Sequence, residues 1–189
     1  MRIVGGEFRG RPLTAPSGWA TRPTADRLRQ TVFDILAHGG YGGVVAGARV
    51  LDLFAGTGAL GLEALSRGAA YALFVEEDVS ARAAIRTNVE ALGLTGRTRI
   101  FRRDATRLGP AGTVAPFSLV FADPPYGKGL GEQALASALA GGWLVPGALV
   151  VLEESAAAEI APLPGFDRVD TRHVGDTQVV FLAAGPTPG

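Results

Sequence analysis

The sequence predicts an α/β fold in which a doubly wound, mostly parallel seven-stranded sheet ends in an antiparallel C-terminal hairpin. After residue 48, short apolar runs alternate with stretches of helical periodicity, as in consecutive strand–helix units. The dipeptide Gly175-Asp176 joins the last two runs and is typical of a tight hairpin turn. With 47% hydrophobic residues, the chain of 189 residues can bury the core of one domain. The predicted strands cover residues 49–54, 71–75, 99–101, 117–122, 148–152, 168–174 and 177–182.

The first forty residues are predicted to form a small unit attached to this domain. Residues 2–4 and 11–13 flank several glycines, which predicts a two-stranded ribbon. Apolar residues at helical spacing predict a helix over residues 25–37, with Thr24 as its N-cap. We therefore divide the chain into an N-terminal ribbon and helix (1–40), a main domain (41–184) and a frayed tail (185–189).

Positive charge is concentrated in two segments, although the net charge is zero. Residues 1–30 contain six arginines and two carboxylates, and residues 97–107 contain five arginines and one aspartate. Guanidinium groups make bidentate contacts with phosphate, so these segments permit nucleic-acid binding on one face. Solvated surface charges and a compositional bias toward arginine are the alternatives. In the predicted ribbon, Arg9 and Arg11 alternate with Gly10, which would place both side chains on one side. The candidate nucleic-acid contacts are Arg9, Arg11, Arg22, Arg27 and Arg29.

The sequence lacks the residues that disulfides, metal centres and membrane-spanning segments require. The chain has no cysteine, and its two histidines, His38 and His173, are far apart in sequence, so we expect neither disulfides nor a metal centre. No apolar stretch is long enough to cross a membrane, and the first residues lack the apolar core of a signal peptide. We therefore expect a cytoplasmic protein.

A glycine-rich loop follows the first predicted strand of the main domain and opens a helix. Gly56, Gly58 and Gly61 satisfy the G-x-G-x-x-G spacing, and Glu76 ends the next strand twenty residues after Gly56. Glycines permit a tight turn and close approach of a ligand, and the acid can accept hydrogen bonds from ribose hydroxyls. This pattern alone predicts a nicotinamide dinucleotide site.

Asp52 favours a different cofactor. It lies in the strand four residues before Gly56, where its charge would repel a pyrophosphate and attract a cationic group such as the amino acid part of S-adenosylmethionine. A strand aspartate before a Gly-x-Gly loop, with an acid at the end of the second strand, resembles the class I methyltransferases. That resemblance implies an S-adenosylmethionine site, with the adenine held at Asp104-Ala105. A solvated strand end is the alternative for Asp104 and is the interpretation that we favour for Glu77. The implied cofactor residues are Asp52, Phe54, Ala55, Gly56, Gly58, Glu76, Asp104 and Ala105.

The tetrapeptide Asp123-Pro124-Pro125-Tyr126 follows the apolar run 117–122. Two prolines fix φ and remove two backbone donors, so a rigid carbonyl, a carboxylate and an aromatic face are presented together. In methyltransferases that act on planar nitrogen, a similar (Asp/Asn/Ser)-Pro-Pro-(Tyr/Phe) motif follows the fourth strand. The resemblance implies that Asp123 and the Pro124 carbonyl hold an exocyclic amine while Tyr126 stacks on the base. The alternative is a proline strand terminator with a solvated aspartate.

The resemblance extends beyond these shared motifs. Segments 2–13, 21–30 and 52–66, together with the Gly-Asp-Thr turn at 175–177, resemble the bacterial small-subunit rRNA guanine-N2 methyltransferases, the RsmD family. Membership implies methyl transfer from S-adenosylmethionine to the N2 amine of one guanine in 16S rRNA, within an assembled or partly assembled small subunit. The resemblance further implies the catalytic residues Asp123, Pro124, Pro125 and Tyr126. We also expect the protein to be a monomer. The sequence departs from the family pattern in its near absence of lysine and its short segment at 109–116.

Three other functions fit parts of the sequence. An adenine-N6 DNA methyltransferase would share the tetrapeptide, although the chain has little room for a sequence-reading region. An NAD(P) oxidoreductase fits the glycine spacing. A catalytically silent RNA-binding domain fits the basic segments but leaves the intact tetrapeptide unexplained.

Overall fold

A computed structural model describes residues 1–19 and 23–189. In these residues a single sheet of seven strands has the order β3-β2-β1-β4-β5-β7-β6. Strands β1 to β5 are parallel, and β7 runs antiparallel to both β5 and β6, so the predicted fold class is confirmed. The strands are β1 (Arg49–Leu53), β2 (Tyr71–Val75), β3 (Thr98–Phe101), β4 (Phe117–Ala122), β5 (Leu144–Ser155), β6 (Phe166–Val174) and β7 (Thr177–Ala184). The helices are α1 (Pro23–His38), α2 (Ala59–Ser66), α3 (Val79–Ala91) and α4 (Leu130–Ala140).

The central strands are mostly apolar, with few polar residues such as Asp52 of β1, because helices cover both faces of the sheet. One core cluster joins this sheet to α1, α2 and α3, and it includes Phe33, Leu62 and Ile85. The second cluster lies on the opposite face, where Leu135 of α4 and the buried Trp143 pack. None of the helices in the described part of the chain is long and apolar enough to span a membrane.

The N-terminal residues share the core of the main domain. The ribbon is reduced to one antiparallel bridge between Arg2 and Pro12, with the Ile3 amide donating to the Arg11 carbonyl at 3.0 Å. Ile3 is completely buried in the cluster that also contains Phe33 of α1. Ile3, Leu13 and the buried face of α1 therefore pack against the sheet in one hydrophobic cluster.

Two local predictions in this segment are wrong. Helix α1 begins at Pro23, so Thr24 lies in its first turn and is not the N-cap. Proline suits a first helical position because its missing N–H would have no partner there. Arg9 lies in a turn, where its amide donates to the Gly6 carbonyl at 3.3 Å, so strand alternation does not place it beside Arg11.

The strand order creates a crevice at the carboxyl edge of the sheet. The chain crosses from one side of β1 to the other between β3 and β4, and ligands of open α/β sheets bind at such a switch point. The Ala55 amide, just after β1, donates to the Val75 carbonyl at 3.1 Å, so the glycine loop turns directly over this edge.

Candidate functional site

A cavity of about 1080 Å³ opens at the carboxyl edge of the sheet. Its volume is at the upper end of ligand pockets, enough for a nucleoside-sized cofactor and an additional planar group. The wall is built from the ends of five strands: residues 54–57 after β1, Glu76 after β2, Asp104 after β3, 123–126 after β4, and Glu153 and Ser155 of β5. Met1 and Trp19 from the N-terminal segment complete one side.

The glycine loop is shaped by left-handed backbone and close packing. Phe54 has φ 56°, and Gly56 and Gly58 have φ 60° and 81°. A Cβ at Gly61 would lie 2.5 Å from the Phe74 ring, so this position packs α2 tightly against β2. The loop needs its glycines for conformation at the first two positions and for close approach at the third.

Glu76 is held at the cavity wall by two backbone donors. Its Oε2 accepts the Gly56 amide at 2.8 Å, and its Oε1 accepts the Asp78 amide at 3.1 Å. Each carboxylate oxygen retains acceptor capacity for a second donor. The side chain is therefore oriented to accept hydrogen bonds from hydroxyl groups of a bound ligand.

Asp52, Gly58 and Ala105 do not line the cavity, which corrects the expectation of direct cofactor contact. Asp52 is buried behind the loop, where it accepts the Gly61 amide at 3.0 Å and ties the first turn of α2 to β1. Burial raises the pKa of Asp52 well above its usual range, because it disfavours the charged form. Gly58 is the N-cap of α2, and Ala105 is buried beneath Asp104 in the short helical turn Ala105–Arg107.

Asp104 occupies the position predicted for recognition of an adenine. Its Oδ1 accepts both the Thr106 hydroxyl at 2.7 Å and the Thr106 amide at 2.9 Å, and these bonds lower the pKa of Asp104. Asp104 is thus ionised and fixed in direction at the cavity wall.

The Asp-Pro-Pro-Tyr segment forms the opposite end of the cavity. Asp123 is exposed to the cavity, Pro124 is buried, and the Tyr126 ring is 41% exposed. The Tyr126 hydroxyl hydrogen-bonds the Thr177 hydroxyl at 3.3 Å, so the turn of the β6–β7 hairpin holds the ring in place. Burial raises the pKa of Tyr126 to about 12, which keeps the phenol neutral.

Glu153 of β5 is a site residue that the sequence reasoning missed. It is buried, it lines the cavity, and it follows Leu152, the partner of Ala122 in the pairing of β4 with β5, so its carboxyl lies beside that of Asp123. Desolvation by the surrounding protein raises the pKa of Asp123 to about 6 and that of Glu153 well above its usual range. The available signal was an acidic residue at the end of an otherwise apolar, buried strand.

The basic candidates fall into different environments. Arg29 is 4% exposed, and its guanidinium bonds Glu63 at 3.2 Å, Asp26 at 2.7 Å and the Arg2 carbonyl. It therefore stabilises the fold and is not available to a phosphate, which corrects that prediction. Arg9, Arg11 and Arg27 are exposed, although Arg11 donates to the Ala91 carbonyl at 2.7 Å; Arg22 lies outside the described residues.

Comparisons with known proteins identify the family of this chain. A family model described as "Conserved hypothetical protein 95" matches residues 1–183. The Ribosomal RNA small subunit methyltransferase D of Escherichia coli (strain K12) is 39% identical over 165 residues, which cover 87% of this chain and 79% of that protein. The solved Escherichia coli protein yhhF, described as a candidate methyltransferase, has a TM-score of 0.82 and 34% identity, and 98% of each chain is covered.

A more distant structure shares the fold. The Thermus thermophilus 16S rRNA N2 G1207 methyltransferase, in complex with AdoMet and guanosine, has a TM-score of 0.65 and 24% identity over 89% of this chain and 44% of that one. The sheet is therefore that of the class I methyltransferases. Because the family model spans nearly all of the sequence and the Escherichia coli relative is similar over most of both chains, this chain belongs to the Conserved hypothetical protein 95 family, the RsmD family of methyltransferases that its motifs predicted.

Proposed function

We propose that this protein transfers a methyl group from S-adenosylmethionine to the exocyclic N2 amine of a guanine in small-subunit rRNA. One observation carries the proposal: the cofactor candidates Glu76 and Asp104 and the amine-holding segment 123–126 line the same cavity. The methyl donor and the target amine would therefore meet in one cavity. Family membership and the name of the Escherichia coli relative support rRNA as the substrate.

The charge of the cavity favours a cationic cofactor over a dinucleotide. Among the described residues of its wall, Arg29 is the only basic one, and Glu63 and Asp26 already neutralise it. A pyrophosphate would be repelled by this surface, whereas a sulfonium and an ammonium group would be attracted. The acidic wall residues are Glu76, Glu77, Asp104, Asp123, Glu153 and Asp176.

The residues of the cavity fit the chemistry of amine methylation. S-adenosylmethionine, when bound, supplies an electrophilic methyl group and a neutral leaving group. A purine amine is a weak nucleophile, so the protein has to orient it and accept its proton. Asp123 and the Pro124 carbonyl would accept the two amine hydrogens, and Tyr126 would stack on the flipped base. The neutral Tyr126 phenol adds no charge beside the reacting nitrogen.

The RNA would approach from the side of the N-terminal segment. Met1 and Trp19 line the cavity, and exposed Arg9, Arg11 and Arg27 belong to the same segment and to α1. The substrate is proposed to be rRNA within an assembled or partly assembled small subunit, modified by a monomeric enzyme in the cytoplasm. Arg22, in the same basic segment, remains a candidate for RNA binding.

Incubation with radiolabelled S-adenosylmethionine tests this function. Small subunits, naked rRNA and DNA are supplied separately, and the label is counted in the nucleic acid. We expect label in small subunits and little in DNA. Transfer to DNA alone would support the adenine-N6 alternative, and absence of transfer to any of the three would contradict the proposal.

Replacing Glu76 with alanine should weaken binding of S-adenosylhomocysteine by about 1.5–3 kcal/mol, since the variant cannot make charge-assisted hydrogen bonds to the ligand. Calorimetry measures this, with NAD as a second ligand that should not bind to the unaltered protein. Glu159→Ala, a change at an exposed carboxylate outside this cavity, is the control and should leave affinity unchanged. Tight binding of NAD would contradict the cofactor assignment.

Replacing both Arg9 and Arg27 with alanine should weaken RNA binding, because two backbone phosphates would no longer be neutralised. These two are chosen because both are exposed, whereas Arg11 already bonds the Ala91 carbonyl. The slope of log affinity against log salt should flatten by about 1.4–1.8, at about 0.7–0.9 for each phosphate that the protein ceases to neutralise. Arg172→Ala, a change on the edge strand β6, is the control. An unchanged slope in the double variant would place the RNA surface elsewhere, for example along the arginines of 97–107.

A further inference from the structure

Glu153 and Asp123 leave adjacent parallel strands side by side. The strand register pairs Ala122 of β4 with Leu152 of β5, so the following residue of each strand is the acid. Glu153 is 4% exposed and lines the same cavity as Asp123, and the two carboxyls are close enough for each to shift the pKa of the other. The buried carboxyl of Glu153 is therefore placed beside Asp123, which would hold the target amine.

A hydrogen bond between two carboxyls requires a proton on one of them, because two carboxylates in contact repel each other. The titratable groups that face this pair are mostly acids: Asp52 from β1 and Glu154 from β5, with Glu76 at the end of β2 near Asp52. The cation that faces the two carboxyls is Arg29 of α1. Among the described residues, Arg29 forms ion pairs with Asp26 and Glu63. Glu153 is buried whereas Asp123 is exposed to the cavity, and burial disfavours the charged form, so Glu153 is the acid that carries the proton.

We propose that Glu153 is a positioning residue for methyl transfer, which donates a hydrogen bond from its protonated carboxyl to one oxygen of Asp123 and directs the other oxygen toward the target amine. The inference rests on the proposed function. As the bond between nitrogen and the methyl carbon forms, the carbon–sulfur bond breaks and its electron pair goes to sulfur. The amine nitrogen then loses one proton to Asp123, which passes it to solvent after the product leaves. Glu153 keeps its own proton throughout.

Two variants separate this role from simple packing. Glu153→Gln keeps a donor in the same place and cannot ionise, so kcat should stay within about threefold of the unaltered enzyme. Glu153→Ala removes the donor, so kcat should fall about 10–100-fold while KM for RNA and the affinity for S-adenosylhomocysteine change little. Thermal unfolding of both variants shows that they are folded.

The pH dependence of kcat between pH 5 and 9 gives a second, independent readout. Activity should fall on the acid side in the unaltered enzyme and in Glu153→Gln, as Asp123, with a pKa of about 6, takes up a proton. On the alkaline side, the unaltered enzyme should lose activity as Glu153 ionises, and Glu153→Gln should not. Equal kcat losses in both variants, near-normal kcat in Glu153→Ala, or an alkaline limb that persists in Glu153→Gln would overturn the inference. An unaltered protein that binds no S-adenosylmethionine would instead overturn the proposed function.

Discussion

Replacing Asp123 with alanine should reduce methyl transfer by at least about 10³-fold, while affinity for S-adenosylhomocysteine stays within a few-fold. Asp123 lines the cavity beside Glu153, where it would both orient the amine and take its proton. Orientation and proton acceptance are large contributions to rate, and a proton acceptor alone contributes about 10²–10⁴-fold. Glu76 and Asp104, on the other side of the cavity, are untouched, so cofactor binding should persist. Single-turnover kinetics measure the chemical step, and calorimetry measures binding.

The matched control for this variant is Asp167→Ala. Asp167 is an exposed aspartate on the edge strand β6 and is absent from the cavity wall. The Asp167→Ala variant should transfer methyl groups at the same rate as the unaltered protein. Near-normal turnover in Asp123→Ala would contradict the role given to the Asp-Pro-Pro-Tyr segment.

Replacing Glu63 with alanine should destabilise the fold by about 3–5 kcal/mol. The Glu63 carboxylate is fully buried in α2, where it accepts the amides of Val4 and Gly5, both at 2.9 Å. It also pairs with Arg29 at 3.2 Å and with Arg67 at 2.9 Å. Without Glu63, the amides of Val4 and Gly5 lose this acceptor, and the buried guanidinium of Arg29 has fewer partners. Removing one partner of a buried ion pair in this way is strongly destabilising.

Urea unfolding measures this loss as a fall in the midpoint, with the free energy obtained by linear extrapolation. The melting temperature should fall by about 6–20 °C, since 1 kcal/mol corresponds to about 2–4 °C for a chain of this size. Glu90→Ala, a change at an exposed acid of α3, is the control. A loss below about 1 kcal/mol would show that Glu63 does not hold the N-terminal segment against α2.

The sheet could be predicted from the sequence because its central strands are buried on both faces. Such strands are mostly apolar, as in Tyr71–Val75 and Phe117–Ala122, whose bounds match the prediction. The strand β5 is longer than predicted, Leu144–Ser155 instead of 148–152, because Pro146 and Gly147 interrupt the pattern and because pairing with β7 extends through Glu153, Glu154 and Ser155. The pairing of β5 with β7 joins distant parts of the chain, so local composition cannot predict it.

The candidate site was only partly predictable for a related reason. Motif spacing placed Glu76, Asp104 and Asp123 at strand ends, and parallel strands bring such ends to one edge. The same spacing did not reveal that Arg29 is buried against Glu63, since their contact joins residues 34 positions apart. Glu153 was missed because it belongs to no recognised motif and reaches Asp123 only through the pairing of β4 with β5.

Methyl transfer in one cavity that holds both the cofactor and a guanine amine can be tested by mass spectrometry of nucleosides. Small subunits lacking the modification are incubated with S-adenosylmethionine and either the unaltered protein or Asp123→Ala. We expect N2-methylguanosine at one position of the 16S rRNA with the unaltered protein and none with the variant. A methyl group on adenine, on another atom of guanine, or on the same guanine in equal amount with Asp123→Ala would contradict the claim.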